Sequence, residues 1–252
     1  MPPRLHREDA GENTLPGQIH RFPWATGDDA RIWIVQMGSK STPTIGELLC
    51  WLGFRSRVIR WQDLPSLWEK QERKPHLVIL SGGEQSVYDP GAPTIPIALY
   101  RAMTREPTVF LGICYGAQLL AQFEDGTVRK AARPEVGMVN VRVTRQLGNY
   151  RGGIAVMNHG DEIAIMPKHW EVLGSTRDCT HALCGSPTMM AVQFHPEMDH
   201  TVGGNHLLKY AVQRLADCRK DFTFRPEDFV SEAGRWLKET VPHGNVVCGA
   251  SG

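Results

Sequence analysis

A thiol, an imidazole and a carboxylate stand where chemistry is possible in this chain: Cys114 in "LGICYGAQLL", and His195 with Glu197 in "VQFHPEMDHT". Val109, Phe110, Leu111 and Ile113 read as the end of a buried strand, and Ala117 to Ala121 as the first turns of a helix. Cys114 therefore falls on the turn between them. Gly112 and Gly116 flank it with the spacing of a nucleophile elbow, in which small neighbours permit a strained backbone that presents the side chain. The helix after this turn directs free amides and its positive dipole end at the sulfur, which favours the reactive thiolate. A buried structural cysteine is the competing reading of the decapeptide alone.

A nucleophile needs a base. His195 also leaves the end of an apolar run, and Glu197 follows across Pro196, whose ring limits the geometry of the pair. An imidazole can take the thiol proton and return it to a leaving amine, while a carboxylate holds the ring in the required tautomer. Isolated His and Glu residues in turns are usually just solvated, so the pair gains meaning only beside a nucleophile. Thiolate attack on an amide creates an oxyanion, which needs preorganised donors. The amide of Tyr115 is one candidate, and the bare backbone of Gly82 and Gly83 in "SGGEQS" offers another. A phosphate loop is the alternative for that glycine pair, but the segment lacks the Walker spacing and lysine.

These residues need a scaffold that brings distant loops together. "RIWIVQ" (31–36), "SRVIR" (56–60), "HLVIL" (76–80) and "TVFLGI" (108–113) read as strands, and Ile45, Leu48, Leu49 and Leu52 fall at helical spacing between the first two. Such alternation predicts an α/β fold with a mostly parallel sheet flanked by helices. Ligands sit beyond the carboxyl ends of the strands in these sheets, where both the "SGG" loop and Cys114 fall. After residue 136 the runs shorten: "MVNVRVT" (138–144), "GIAVMN" (153–158), "WEVLGST" (170–176) and "MMAVQF" (189–194) read as additional strands, several of them antiparallel, before a helix over about 203–217.

Composition narrows the function classes. The 252 residues carry 28 basic and 27 acidic side chains, so no global field points to nucleic acid or an anionic membrane. No apolar run approaches the roughly 18 residues needed to span a bilayer, and the N-terminus lacks the apolar core of a signal peptide, so a cytoplasmic protein is expected. Residues 1–30 read as a flexible extension. The six cysteines form no C-x-x-C pair. Cys179, His181 and Cys184 cluster in sequence, but without a second ligand pair they read as structural groups, and no metal site is expected.

In combination, "SGGEQSVYD", "GICYGAQ", "NHGDEI" and "VQFHPE" followed by "HT" closely resemble the class I, triad-type glutamine amidotransferases, and within them the glutaminase domain of GMP synthase. The resemblance covers residues 32 to about 218. It implies a flavodoxin-like domain over 31–218, with Cys114 as nucleophile, His195 as base and Glu197 as orienter, hydrolysing L-glutamine through a thioester to glutamate and ammonia. It further implies oxyanion donors at the backbone of Gly83 and Tyr115, a substrate-holding Gln118, and a loop of Asn158, His159, Gly160 and Asp161 that contributes to the glutamine pocket and faces a partner domain. In the family that partner uses ATP and Mg2+ to aminate xanthosine monophosphate to GMP. No cofactor is expected in this chain.

Residues 219–252 resemble the linker helix and the truncated start of an ATP pyrophosphatase domain. Phe229, Ala233, Trp236 and Leu237 would form its amphipathic face, and "NVVCGASG" half of its phosphate loop. Half a loop cannot cradle pyrophosphate, so the chain alone is not expected to make GMP, and its glutaminase activity is expected to be low until a synthetase domain docks. Three features depart from the family pattern: the turn "QMGSK" (36–40), a neutral rather than basic helix after it, and Glu84 where proline is usual. Pointing inward, Glu84 would set a carboxylate beside the oxyanion donors and weaken them. The competing functions are a free-standing amidotransferase or glutamyl hydrolase for another acceptor, and a catalytically silent binding module.

Overall fold

The computed structural model describes residues 30–241 and 243. The expected extension at the N-terminus and the half phosphate loop near the C-terminus therefore lie outside the described residues, apart from Ala30. Strands β1 (Ile32–Gln36), β2 (Ser56–Arg60), β3 (Leu77–Leu80) and β4 (Val109–Ile113) alternate with helices α1 (Thr42–Trp51), α2 (Leu64–Lys70) and α3 (Ile97–Met103); α4 (Tyr115–Phe123) comes directly after β4. The second half supplies β5 (Thr127–Val143), β6 (Gly153–Ile165), β7 (Glu171–Ser175), β8 (Leu183–Ser186), β9 (Met189–Val192), α5 (Gly204–Tyr210), which runs on as a π turn over Ala211–Leu215, and α6 (Pro226–Thr240).

The described strands form one nine-stranded sheet in the order β2-β1-β3-β4-β9-β8-β7-β5-β6. β2, β1, β3, β4 and β9 pair in parallel, and the remaining pairs are antiparallel. β1, β3, β4 and β9 are buried on both faces, which is why they read as apolar runs, whereas the edge strand β2 is only partly buried and carries Arg57 and Arg60. Ile32, Ile34, Leu77, Ile79, Leu111 and Ile113 pack on one face with Ile45 and Leu49 of α1 and Leu207 and Leu208 of α5. Trp33, Val35, Val78, Leu80 and Phe110 pack on the other with Trp68, Tyr100, Leu119 and Leu120.

The antiparallel part departs from the sequence expectation in extent. β5 runs from Thr127, well before the expected start at 138, because its paired face is polar and half-solvated, leaving no apolar run to mark it. β8 has no counterpart among the expected strands. The expected strand over 189–194 pairs in parallel with β4, and this pairing carries the His195 turn to the side of Cys114. No described helix is long and apolar enough to cross a membrane.

Candidate active site

Cys114 has φ 51° and ψ −106°, a conformation that costs an L-residue energy unless its surroundings impose it. They do. The Cys114 amide donates to Val192 O at 2.7 Å and the Gly116 amide to Ser81 O at 3.1 Å, so β9 and the end of β3 clamp the turn from both sides. A methyl group at Gly116 would lie 2.1 Å from Leu80 O, so α4 can start this close to β3 only with glycine there. The sulfur lies 3.7 Å from both Asn158 O and Gln193 Nε2.

His195 sits one loop away, pinned by its backbone. Its amide donates to Val156 O at 2.9 Å, while the Thr201 hydroxyl donates to His195 O at 2.6 Å and accepts from the Val156 amide at 3.0 Å. That double use of Thr201 gives the threonine of "HPEMDHT" its purpose. His195 Nδ1 is 2.8 Å from Glu197 Oε1, which leaves Nε2 for the thiol. Burial alone would lower the imidazole's proton affinity; hydrogen bonds and charge from Cys114 and Glu197 outweigh it and push the His195 pKa up to about 10.

The loop after β3 closes the other side. Met37 N donates to Ser81 Oγ at 2.9 Å and Ser39 N to Gly82 O at 3.0 Å. A methyl group at Gly83 would lie 2.4 Å from Met37 O, so the backbone could not come this near with any other residue. Among the described residues the amides of Gly83 and Tyr115 donate to no protein acceptor. Glu84 does not turn inward: it is exposed and lies 3.8 Å from the Lys40 ammonium. Two of the departures from the family pattern thus meet each other in solvent, because a carboxylate is better hydrated there than against the cleft.

Asn158, His159, Gly160 and Asp161 are not a loop. They lie inside β6, with Asn158, His159 and Asp161 opposite Val136, Glu135 and Lys130 of β5. The period of a strand turns His159 and Asp161 inward and leaves Asn158 and Gly160 exposed. Asp161 accepts from Ser86 Oγ at 2.5 Å and Tyr88 OH at 2.8 Å, docking the segment after "SGG" onto β6. Gln118 is buried and donates through Nε2 to Asp161 O at 2.9 Å and Gln193 Oε1 at 3.2 Å, so it holds the wall beside the sulfur.

Cys179 finds partners other than those nearest in sequence. It gathers with Glu135 and His159 in a buried group whose ligand atoms lie within 4.8 Å of one another. Glu135 accepts from Thr176 Oγ1 at 2.7 Å and contacts His159 Nε2 at 3.3 Å, while His159 Nδ1 lies 2.9 Å from Asp161 O. Both carboxylate oxygens and both ring nitrogens already have a protein partner, as in a structural network. His181 instead engages Ile163 O through Nδ1 at 2.6 Å.

Sequence reasoning missed Gln193, Ser41, Ser86 and Tyr88. Gln193 could have been found: a glutamine interrupting an apolar run two residues before a histidine needs a buried partner. Ser41, which donates to Glu197 Oε1 at 3.2 Å, has no local signal at all, since its contact is made across 156 positions.

The family profile of class-I glutamine amidotransferases matches residues 34–215. The chain is 33% identical over 228 residues to a glutamine-hydrolyzing GMP synthase of Parafrankia sp. (strain EAN1pec), covering 88% of this chain and 41% of that protein. It is 32% identical over 239 residues to the glutamine-hydrolyzing GMP synthase of Nitrobacter hamburgensis, covering 91% and 43%. It thus spans less than half the length of these relatives. Among solved structures, a GMP synthase subunit from Thermoplasma acidophilum superposes with a TM-score of 0.60 at 22% identity, over 83% of this chain and 96% of that one, a likeness of fold. An open, mostly parallel sheet carrying a cysteine elbow, and a profile match across nearly all of that sheet, lead to one conclusion: the chain belongs to the class I glutamine amidotransferase family.

Proposed function

We propose that this domain hydrolyses L-glutamine to glutamate and ammonia, and that an ATP-dependent synthetase domain or subunit uses the ammonia to aminate xanthosine monophosphate to GMP. The observation that carries the reading is the strained Cys114 elbow facing the His195–Glu197 pair, in a chain related to glutamine-hydrolyzing GMP synthases. The Cys114 thiolate attacks the side-chain carbonyl carbon of glutamine, and the amides of Gly83 and Tyr115 receive the oxyanion. His195 gives its proton to the leaving nitrogen as the carbon–nitrogen bond breaks, releasing ammonia and leaving a thioester. It then takes a proton from the water that splits the thioester, restoring the thiol pair and freeing glutamate. Glu197 keeps Nδ1 protonated throughout. Gln118 and the Asn158–Asp161 stretch shape the glutamine pocket. ATP and Mg2+ act in the synthetase partner.

The experiment is glutamate release by the purified chain, alone and with a GMP synthetase domain plus its nucleotide substrates, beside Cys114→Ala. Release that depends on Cys114 and rises with the partner is expected. Release blind to the partner would move the assignment to another acceptor, a reading favoured by the Lys40–Glu84 pair at positions where the family pattern differs. No release under either condition would overturn the enzymatic reading.

A further inference from the structure

Glu197 is a buried carboxylate, with its side chain 1% exposed, and a buried carboxylate needs donors to stay ionised and in place. Its Oε1 receives two, His195 Nδ1 at 2.8 Å and Ser41 Oγ at 3.2 Å, while Oε2 has no partner among the described residues. Glu197 also lines a groove bordered by Thr44, Glu47, Trp51 and Asn205, none of which hydrogen-bonds to it. Ser41 is therefore the single protein donor, among the described residues, that holds this carboxylate apart from the imidazole it orients.

Ser41 is itself held. Its hydroxyl lies 2.8 Å from Ser39 Oγ, and its amide donates to that same oxygen at 3.1 Å. Ser39 N donates to Gly82 O at 3.0 Å. The turn between β1 and α1 thus spans the site, tied at one end to the glycine loop and at the other to the carboxylate. With Ser41 donating to Glu197, the hydrogen bonds run in one direction, Ser39 to Ser41 to Glu197, and such a chain strengthens each of its members.

We propose that Ser41 is a positioning residue for the reaction: its hydroxyl anchors Glu197 so that the carboxylate holds the His195 ring with Nε2 toward the Cys114 sulfur. This rests on the glutaminase reading above. Without the anchor, Glu197 can rotate toward its unpartnered side, and the imidazole loses its fixed plane and part of the charge that stabilises its protonated form.

Ser41→Ala, Ser41→Thr, Glu197→Ala and the Ser41→Ala/Glu197→Ala double variant separate this role from a purely structural one. Ser41→Ala is expected to lower kcat about tenfold, the worth of a hydrogen bond to a charged group, with KM nearly unchanged. Ser41→Thr should restore most of the loss, and in the Glu197→Ala background Ser41→Ala should have no further effect. A second readout needs no turnover: the pH profile of Cys114 alkylation by iodoacetamide should move its basic limb to lower pH in Ser41→Ala, because His195 then gives up its proton more easily. An equal loss from Ser41→Ala with and without Glu197, or an unmoved alkylation profile in a folded variant, would overturn the proposal. Were the unaltered chain to release no glutamate even with a synthetase domain and its nucleotide substrates present, the glutaminase reading would fail, and the alkylation profile would still decide the role of Ser41.

Discussion

Among its described residues the molecule gathers a cysteine, a histidine and a glutamate twice, and the two groups are built for opposite ends. At the strand ends of the parallel sheet, Cys114 stands on a positive-φ turn, and His195 spends one nitrogen on Glu197 and keeps the other for the sulfur. In the antiparallel wing, His159 spends both nitrogens, one on Asp161 O and one on Glu135, and has none left for Cys179. Burial, with the nearby Glu135 charge adding to it, pushes the Cys179 thiol up to about 12, so it stays protonated and inert. Residue types alone do not make a reactive centre. What differs is where the ring nitrogens are committed, and whether the backbone presents the sulfur or packs it away.

The largest expected effect tests that contrast directly. Cys114→Ala should cut glutamate release by about a thousandfold or more, whereas Cys179→Ala should leave turnover of the same order; an equal loss from both, in folded proteins, would break the comparison. Native iodoacetamide labelling with mass-spectrometric mapping should likewise mark Cys114 and spare Cys179.

Equal losses of stability should next have unequal chemical consequences in the two groups. Gly116→Ala sets a methyl group 2.1 Å from Leu80 O and should cost about 2–4 kcal/mol in denaturant unfolding, with loss of Cys114 alkylation as the elbow shifts. His159→Gln should cost a similar amount, about 2–4 kcal/mol, by stranding the Glu135 carboxylate, without removing the thiol chemistry at Cys114.

A smaller effect concerns pH. The folded-state pKa of His195 lies above its ordinary 6.5, so its contribution to stability is complete below about pH 6.5 and is lost as pH rises through about 10. Unfolding series across that window should show this decline in the unaltered chain and lose it in His195→Gln. The smallest effect belongs to the exposed Lys40–Glu84 pair, where Glu84→Ala should change stability by no more than about 0.5 kcal/mol. A large change in the glutaminase rate on that substitution would mean that Glu84 does reach the cleft.

Much of the parallel half is legible in the sequence: β4, buried on both faces, announces itself as the apolar run "TVFLGI", which ends where β4 ends, and "SRVIR" is β2 to the residue although that edge strand keeps both arginines half-buried. The wing is less so. β5 and β6 are covered on one side only, so β5 begins eleven residues before its apolar stretch, and "NHGD", read as a loop, is a strand whose polar residues alternate between core and solvent. Cys114, His195 and Glu197 stand out because each sits in a turn whose neighbours, glycines or a proline, have a local reason to be there. Gln193 and Ser41 act through contacts across 79 and 156 positions: the polar break in an apolar run marks Gln193 as needing a buried partner without saying which, and nothing near Ser41 marks its contact at all.

The sequence by itself determined the order of the elements, the elbow glycines and the identity of the three candidate catalytic groups, because backbone sterics and hydrophobic burial act over a few residues and leave a local pattern. Only the tertiary structure decided which histidine keeps a nitrogen for a sulfur, which way Glu84 points and what holds Glu197. Those are matters of hydrogen-bond direction and desolvation at distances of about 3 Å, set by how strands far apart in the chain come to lie side by side.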